Sequence, residues 1–139
     1  MPKSARFIFA GLGLIVLDQI TKFYFLYFQP QLVVINSGGA FSISSGWVYY
    51  PFVVVLVLLL LLVLLIKSNL HKRYPWAVVL VYAGAIGDLI DRFRLGGVVD
   101  FINLRIWPSF NLADAMIVIG FLWLAFVVLF GSQKKTPKA

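Results

Sequence analysis

Five aspartates carry all of the acidic charge of this chain, and each lies within or beside a strongly apolar stretch. They are Asp18, Asp88, Asp91, Asp100 and Asp114. A carboxylate at the centre of a membrane-spanning helix costs about 2.5–3.5 kcal/mol on translocon scales, so an acid in such a place is a candidate functional residue. Two carboxyl groups that share one proton can act together as general acid and general base.

Asp100 is the clearest candidate for such chemistry. It lies within an apolar run, and the nearest following cation in the sequence, Arg105, is five residues away. Desolvation raises the pKa of a carboxyl group, and a second carboxyl nearby raises it further. Asp114 follows 14 positions later, so the loop between the two can fold them together. The pair predicts a dyad that activates water for attack on an amide and then protonates the leaving nitrogen.

The other aspartates also have structural interpretations. Asp18 with Lys22, and Asp88 with Arg92, are spaced i,i+4 in the favourable orientation for helical ion pairs. For these two pairs a purely structural role is as well supported as a functional one. Asp91 is adjacent to Arg92 and can accept hydrogen bonds from outer-loop backbone groups. An ionised Asp88 is expected to rely on Arg92.

Asp114 has a specific structural alternative at the start of a helix. The segment Asn111-Leu112-Ala113-Asp114 is typical of a helix N-terminus, with Asn111 as the N-cap and Asp114 at the third position. Considered without Asp100, this alternative is the stronger one for Asp114.

Other catalytic chemistries find little support in the sequence. The chain has no cysteine, which excludes disulfides, thiolate metal sites and cysteine nucleophiles. Its single histidine, His71, lies in a basic loop beside Lys72 and Arg73, so a zinc protease site is excluded. The serines have no histidine or well-placed lysine partner near the aspartates. We expect no metal and no cofactor.

Composition indicates an integral membrane protein with a single domain over residues 1–139. The chain is 62% hydrophobic and 12% charged, with a mean hydropathy of +0.97, whereas soluble domains contain about 25% charged residues. The net charge of +7 comes from basic residues that flank the apolar stretches. We therefore interpret it as membrane topology and expect no nucleic-acid partner.

Hydropathy predicts four transmembrane helices, over about residues 7–28, 51–66, 76–93 and 111–130. Eight of the twelve basic residues precede the first, separate the second from the third, or follow the fourth, which places both termini in the cytoplasm. The first stretch carries Asp18 and no small-x-small cleavage site, so we expect a retained helix. In the third, Gly84 and Gly87 form a small-residue face that we expect to pack against another span.

The outer loops predict a small β-sheet. Residues 31–35 form a β-branched run, 36–39 are a turn signal, and 41–44 alternate apolar with polar, which together predict a hairpin. Residues 98–103 predict another strand. The expected fold class is an all-α membrane protein of four transmembrane helices with a small extracytoplasmic β-sheet cradle.

Five segments in order carry a resemblance to a known family: 18–22 (DQITK), 36–41 (NSGGAF), 84–92 (GAIGDLIDR), 98–102 (VVDFI) and 110–115 (FNLADA). Together they resemble lipoprotein signal peptidase, also called signal peptidase II. The resemblance implies an aspartic protease of the bacterial inner membrane, with its site at the outer face. It implies cleavage of prolipoproteins on the amino side of a diacylglyceryl-modified cysteine.

The resemblance also implies roles for individual residues. Asp100 and Asp114 would be catalytic, and the residues that order the site and contact substrate would be Asn36, Asp91, Arg92 and Asn111, supported by Asp18 and Lys22. The family usually has asparagine where this chain has Asp88. The implied partners are the lipid-modified substrate, membrane lipid and the inhibitors globomycin and myxovirescin, and we expect a monomer.

Two other classes of protein remain alternatives. A cation-coupled transporter would need polar groups along a whole path, and residues 52–66 contain none. A transferase that uses aspartates to bind Mg²⁺ would need a basic phosphate site beside the acids. Arg92, Arg94 and Arg105 could supply that site, so the sequence leaves this alternative open.

Overall fold

The protein, in a computed structural model that describes residues 3–38 and 50–130, is mostly helical. The elements in chain order are α1 (Lys3–Phe28), a 3₁₀ turn (Pro30–Leu32), β1 (Val34–Asn36), α2 (Tyr50–Lys67), α3 (Leu70–Arg73), α4 (Pro75–Leu95), β2 (Val98–Asp100) and α5 (Leu112–Phe130). Each long helix covers one of the predicted apolar stretches. The four-residue helix α3 was not predicted and lies in the basic connection between α2 and α4.

Among the described residues, two helices are long and apolar enough to cross a membrane, over Ser4–Phe28 and Leu112–Phe130. The apolar part of α2, Phe52–Lys67, is shorter. Many large apolar side chains on these helices point away from the protein; Phe52 is 67% exposed and Leu129 is 74% exposed. Such a continuous apolar surface is unfavourable in water and suits contact with lipid.

Helix α4 lies at the centre of the fold, packed extensively against α1 and α5 and less extensively against α2. Small residues allow this approach. A Cβ atom on Gly84 would collide with the carbonyl oxygen of Ala113, and one on Gly87 would lie 2.6 Å from Oδ2 of Asp18. The prediction that this small-residue face packs within the protein is therefore confirmed.

The contact between α2 and α4 includes a hydrogen bond. The hydroxyl of Tyr82 donates a hydrogen bond of 2.6 Å to the backbone carbonyl oxygen of Leu58. Further along α2, Leu65 packs with Ala77 and Val81 in a buried apolar cluster.

The two strands pair antiparallel, with Val34 opposite Asp100 and Asn36 opposite Val98. Gly96 ends α4 in the left-handed conformation, with φ of 71°, and so reverses the chain into β2. The predicted strand at 31–35 begins later than expected because Pro30 starts a 3₁₀ turn. The other half of the predicted hairpin, 41–44, lies outside the described residues. The sheet brings Asn36 to the edge of the helices beside Asp100.

Close packing at Gly84 generates a testable prediction. We expect Gly84→Ala to lower the free energy of unfolding by about 1–3 kcal/mol, because the added methyl group meets backbone and the helices must separate. Gly13→Ala, in α1, is the matched control, since no atom lies within 4 Å of its added methyl group. It should be stabilising by about 0.5–1 kcal/mol. Denaturant titration in mixed micelles measures both, and equal stability of the two variants would contradict the packing.

Candidate active site

A single lysine joins three aspartates inside the protein. The Nζ atom of Lys22 lies 2.9 Å from Oδ2 of Asp18, 2.9 Å from Oδ1 of Asp88 and 3.1 Å from Oδ2 of Asp91. Lys22, Asp18 and Asp91 are almost completely buried. The predicted ion pair between Asp18 and Lys22 is confirmed. For Asp88 the expected cation was Arg92 on its own helix, but the structure places Lys22 of α1 against it.

The buried aspartates also bind backbone groups of other elements. Oδ1 of Asp18 accepts a 3.0 Å hydrogen bond from the backbone N–H of Ala113 in the first turn of α5. Oδ2 of Asp91 accepts one of 3.2 Å from the backbone N–H of Val99 in β2. These bonds satisfy backbone donors that would otherwise be buried without partners, and they fix α1, α4, β2 and α5 relative to one another.

Gln19 was missed by the sequence-based selection of site residues. Its Nε2 atom donates to Oδ1 of Asp91 at 3.3 Å and to the backbone carbonyl of Gly87 at 3.1 Å, and its Oε1 accepts from Arg94 at 3.3 Å. Its position beside Asp18, in the first of the five segments that carry the family resemblance, could have pointed to Gln19. A polar amide in an apolar helix needs partners as much as an acid does.

Asn111 and Asp114 form a reciprocal cap at the start of α5. Oδ1 of Asn111 accepts from the backbone N–H of Asp114 at 3.0 Å, and Oδ2 of Asp114 accepts from the backbone N–H of Asn111 at 3.1 Å. This is the arrangement of a capping box. The predicted cap is therefore confirmed, and it fixes one oxygen of Asp114 while the residue also lines the cleft described below.

The amide nitrogen of Asn111 links the cap to Asp100. It donates to Oδ1 of Asp100 at 2.8 Å and to Oδ1 of Asp88 at 3.3 Å. The amide of Asn36, in β1, donates to the other oxygen of Asp100 at 3.2 Å. Sequence analysis found no partner for Asp100 because these two amides come from distant segments. Both oxygens of this nearly buried carboxyl group are held by amides.

Burial raises the pKa of Asp100 above its usual value. The hydrogen bonds from Asn111 and Asn36 favour the ionised form and oppose this effect, whereas the negative charge of Asp88 adds to it. The positive charge of Lys22 also lowers the pKa of Asp100, so its proton affinity depends on burial and on four identified neighbours.

Asp100 and Asp114 line one cleft of about 240 Å³. The cleft lies between α2, α4, α5 and the sheet, and its lining residues are Asn36, Val54, Ala85, Asp88, Leu89, Arg92, Val98, Asp100, Asp114 and Ile117. Polar groups therefore cluster at one part of an otherwise apolar cleft. Two carboxyl groups and a guanidinium group in such surroundings could bind a peptide backbone and activate water.

The remaining candidate groups lie elsewhere. His71 is in α3, where its Nδ1 is 2.9 Å from the backbone carbonyl of Leu65, which agrees with its expected position in the basic loop. Within residues 3–38 and 50–130, no group of three or more carboxylate or imidazole side chains has the arrangement of a metal site.

The apolar helices and the cleft with its carboxyl groups suit an enzyme that works in a membrane, and comparison with known proteins identifies its class and family. Residues 10–130 match the family model described as signal peptidase (SPase) II. The chain therefore belongs to the signal peptidase II family, which establishes a peptidase of lipoprotein processing and disfavours the transporter and transferase alternatives.

Individual relatives agree with this assignment. The lipoprotein signal peptidase of Xylella fastidiosa is 34% identical, with 99% of this chain and 95% of the relative covered. That of Pseudomonas aeruginosa PAO1 is 37% identical, with 89% and 87% covered. A bacterial membrane enzyme solved by the in meso method at 2.3 Å superimposes with a TM-score of 0.73 and 28% identity, over 97% of this chain and 94% of the other.

The buried cluster predicts a strong effect of removing its cation. We expect Lys22→Met to lower the free energy of unfolding by about 3–5 kcal/mol, because three carboxylates would lose their shared buried partner. Lys67→Met is the matched control, since Lys67 is exposed at the end of α2, and it should change stability by less than about 0.5 kcal/mol. Both are measured by denaturant titration; similar values for the two variants would show that the cluster does not support the fold.

Proposed function

We propose that this protein is an aspartic endopeptidase that removes signal peptides from prolipoproteins on the amino side of the diacylglyceryl-modified cysteine. The observation that carries the proposal is the shared cleft of Asp100 and Asp114, which are joined through the side chain of Asn111. Family membership supports the substrate class. The chemistry rests on the two carboxyl groups.

In the proposed mechanism the two carboxyl groups share one proton. The ionised group takes a proton from water as the water oxygen attacks the scissile carbonyl carbon, and the protonated group donates a hydrogen bond to the carbonyl oxygen. In the second step a proton passes to the leaving nitrogen as the carbon–nitrogen bond breaks. One carboxylate and one carboxylic acid are regenerated, so the cycle needs no other reactant.

Supporting residues hold this pair in position. Asn36 and Asn111 orient the carboxyl group of Asp100, and Asn111 fixes Asp114 through the cap. We assign Arg92 to binding of substrate backbone carbonyls, because its side chain lines the cleft. The lysine cluster of Asp18, Lys22, Asp88 and Asp91 is assigned to positioning the elements that carry the dyad.

We further propose four transmembrane spans with both termini in the cytoplasm and the cleft at the outer face of the bacterial inner membrane. The lengths of α1, α2, α4 and α5 range from 18 to 26 residues, or about 27–39 Å at 1.5 Å per residue, close to the thickness of a bilayer core. Asp88, Asp91 and Asp114 lie in the halves of α4 and α5 that are nearer the sheet, and Asp100 lies in the sheet itself. Asp18 contacts Lys22 beside them. Water and the lipid-bound substrate meet at that boundary.

The dyad assignment is tested by Asp100→Asn and Asp114→Asn. We expect each to lower the rate of cleavage of a diacylated prolipoprotein by about 100- to 10,000-fold, because an amide can neither accept nor deliver the catalytic proton. Asparagine at 114 retains a cap acceptor, so the protein should remain folded and inserted. A gel-shift cleavage assay measures the rate, with thermal unfolding as the control for folding. Wild-type turnover by either variant would remove the assignment.

Chelator and inhibitor controls belong to the same assay. Cleavage is expected to persist in EDTA and to stop with globomycin, whereas a metal-dependent reaction would be lost in EDTA. Unmodified prolipoprotein should not be cleaved.

Two variants should shift the pH dependence of cleavage in opposite directions. Asn36→Ala removes a donor that favours the ionised form of Asp100, so its pKa should rise further. Asp88→Asn removes a negative charge and keeps an acceptor for Asn111, so the pKa of Asp100 should fall. The limb of the pH–rate profile that reports this ionisation should move up for the first variant and down for the second. A pKa shift of about one unit corresponds to 1.36 kcal/mol. Shifts of the same sign in the two variants would contradict the opposing effects of Asn36 and Asp88 on the pKa of Asp100.

A further inference from the structure

An apolar groove lies on the opposite side of Asp114 from the polar cleft. It has a volume of about 390 Å³ and is lined by Leu104, Trp107, Phe110, Asp114, Ala115, Val118 and Ile119. One wall is the loop between β2 and α5, and the other is the outer part of α5. Asp114 is therefore a shared boundary between a polar cleft and an apolar groove.

Two other apolar grooves on the described part of the chain lack this connection. One lies between α1, α2 and α4 and the other between α2 and α5, and none of the five aspartates lines either of them. The groove beside Asp114 is thus distinguished by its continuity with the site and not by its apolar character.

We propose that this groove binds an acyl chain of the diacylglyceryl group on the substrate cysteine. The inference rests on the proposed function, because it requires the scissile bond to lie at Asp100 and Asp114. The modified cysteine directly follows that bond, so its acyl chains must begin close to the two carboxyl groups. A surface that receives them has to be apolar and has to reach the dyad, and this groove meets both conditions.

The shape of the groove fits an extended hydrocarbon chain. Ala115, Val118 and Ile119 follow one another along one face of α5, and the small side chain of Ala115 leaves space beside Asp114. Val118 and Ile119 are 56% and 55% exposed, so the groove is open along its side to chains in the bilayer. The chain on the substrate has an advantage over free lipid because its attachment gives it a high effective concentration.

The polar cleft and the apolar groove would bind different parts of the substrate. The peptide backbone has partners in the cleft, where Asn36, Arg92 and Asp100 present polar groups. The acyl chain has no matching partners among these polar groups, so it extends past Asp114 into the apolar groove. Recognition of the lipid would then select modified substrate, because an unmodified cysteine leaves the groove without an occupant from the substrate.

The proposal is tested with Val118→Trp, which fills the groove one turn below Asp114. Val128→Trp is the matched control: the same substitution on the same helix at a residue that is 59% exposed and lines a different groove. Cleavage is measured on prolipoproteins that carry diacylglyceryl groups of increasing chain length. We expect wild type and Val128→Trp to favour longer chains, and Val118→Trp to lose at least about tenfold of that preference through KM.

A second measurement locates the chain directly. Substrate with a photoreactive diazirine in one acyl chain is irradiated with Asp100→Asn protein, whose altered residue does not line the groove, and the labelled peptide is identified by mass spectrometry. Labelling at 104–119 is expected. Labelling in the groove between α1, α2 and α4, labelling of 104–119 by a diazirine in the signal helix instead, or an unchanged length preference in Val118→Trp would each overturn the proposal. The two proposals fail in different measurements: wild-type turnover by the asparagine variants of Asp100 and Asp114 would remove the dyad, whereas the labelled peptide and the length preference decide the groove.

Discussion

The ammonium group of Lys22 is the interaction on which the rest of the structure depends. It is buried with three carboxylates, from α1 and from two turns of α4. None of these charges could remain alone in an apolar interior. Their mutual attraction is strong in this place because the local dielectric constant is low. The cluster requires α1 and α4 to keep one relative position, and the backbone bonds of Asp18 and Asp91 extend that requirement to α5 and β2.

Asn111 connects this cluster to Asp100 and Asp114, the candidate dyad. Its amide group is fixed at both ends, by the cap to Asp114 and by the bonds to Asp100 and Asp88. The same side chain therefore caps the start of α5, holds the carboxyl group of Asp100 and contacts that of Asp88. The carboxyl group of Asp88 is accommodated close to Asp100 because the ammonium group of Lys22 lies 2.9 Å from it.

The helices, the cap and the ion pair of Asp18 with Lys22 could be predicted from the sequence because each rests on local spacing. The partners of Asp100 could not. Asn36 and Asn111 are 64 and 11 residues away from it along the chain. The antiparallel pairing of β1 with β2 places the first beside Asp100, and the bridge between Ile102 and Phe110 brings the second near it. Asp88 was assigned to Arg92 for the same reason: an i,i+4 neighbour can be found by counting, whereas Lys22 on another helix cannot.

The hydrogen bond between Tyr82 and the backbone of Leu58 bears on which of the long helices is free to shift. Helices α1, α4 and α5 are locked by buried charges and by contacts that leave no space for a methyl group, so sliding one against another by a single residue would break several bonds at once. Helix α2 carries Val54 to the cleft but packs less extensively against α4, and in the described part of the chain a hydrogen bond from Tyr82 joins the two helices. Of the four long helices, α2 is therefore the one whose sideways displacement would break the fewest of the described contacts, and the hydrogen bond from Tyr82 to Leu58 is one contact that opposes it.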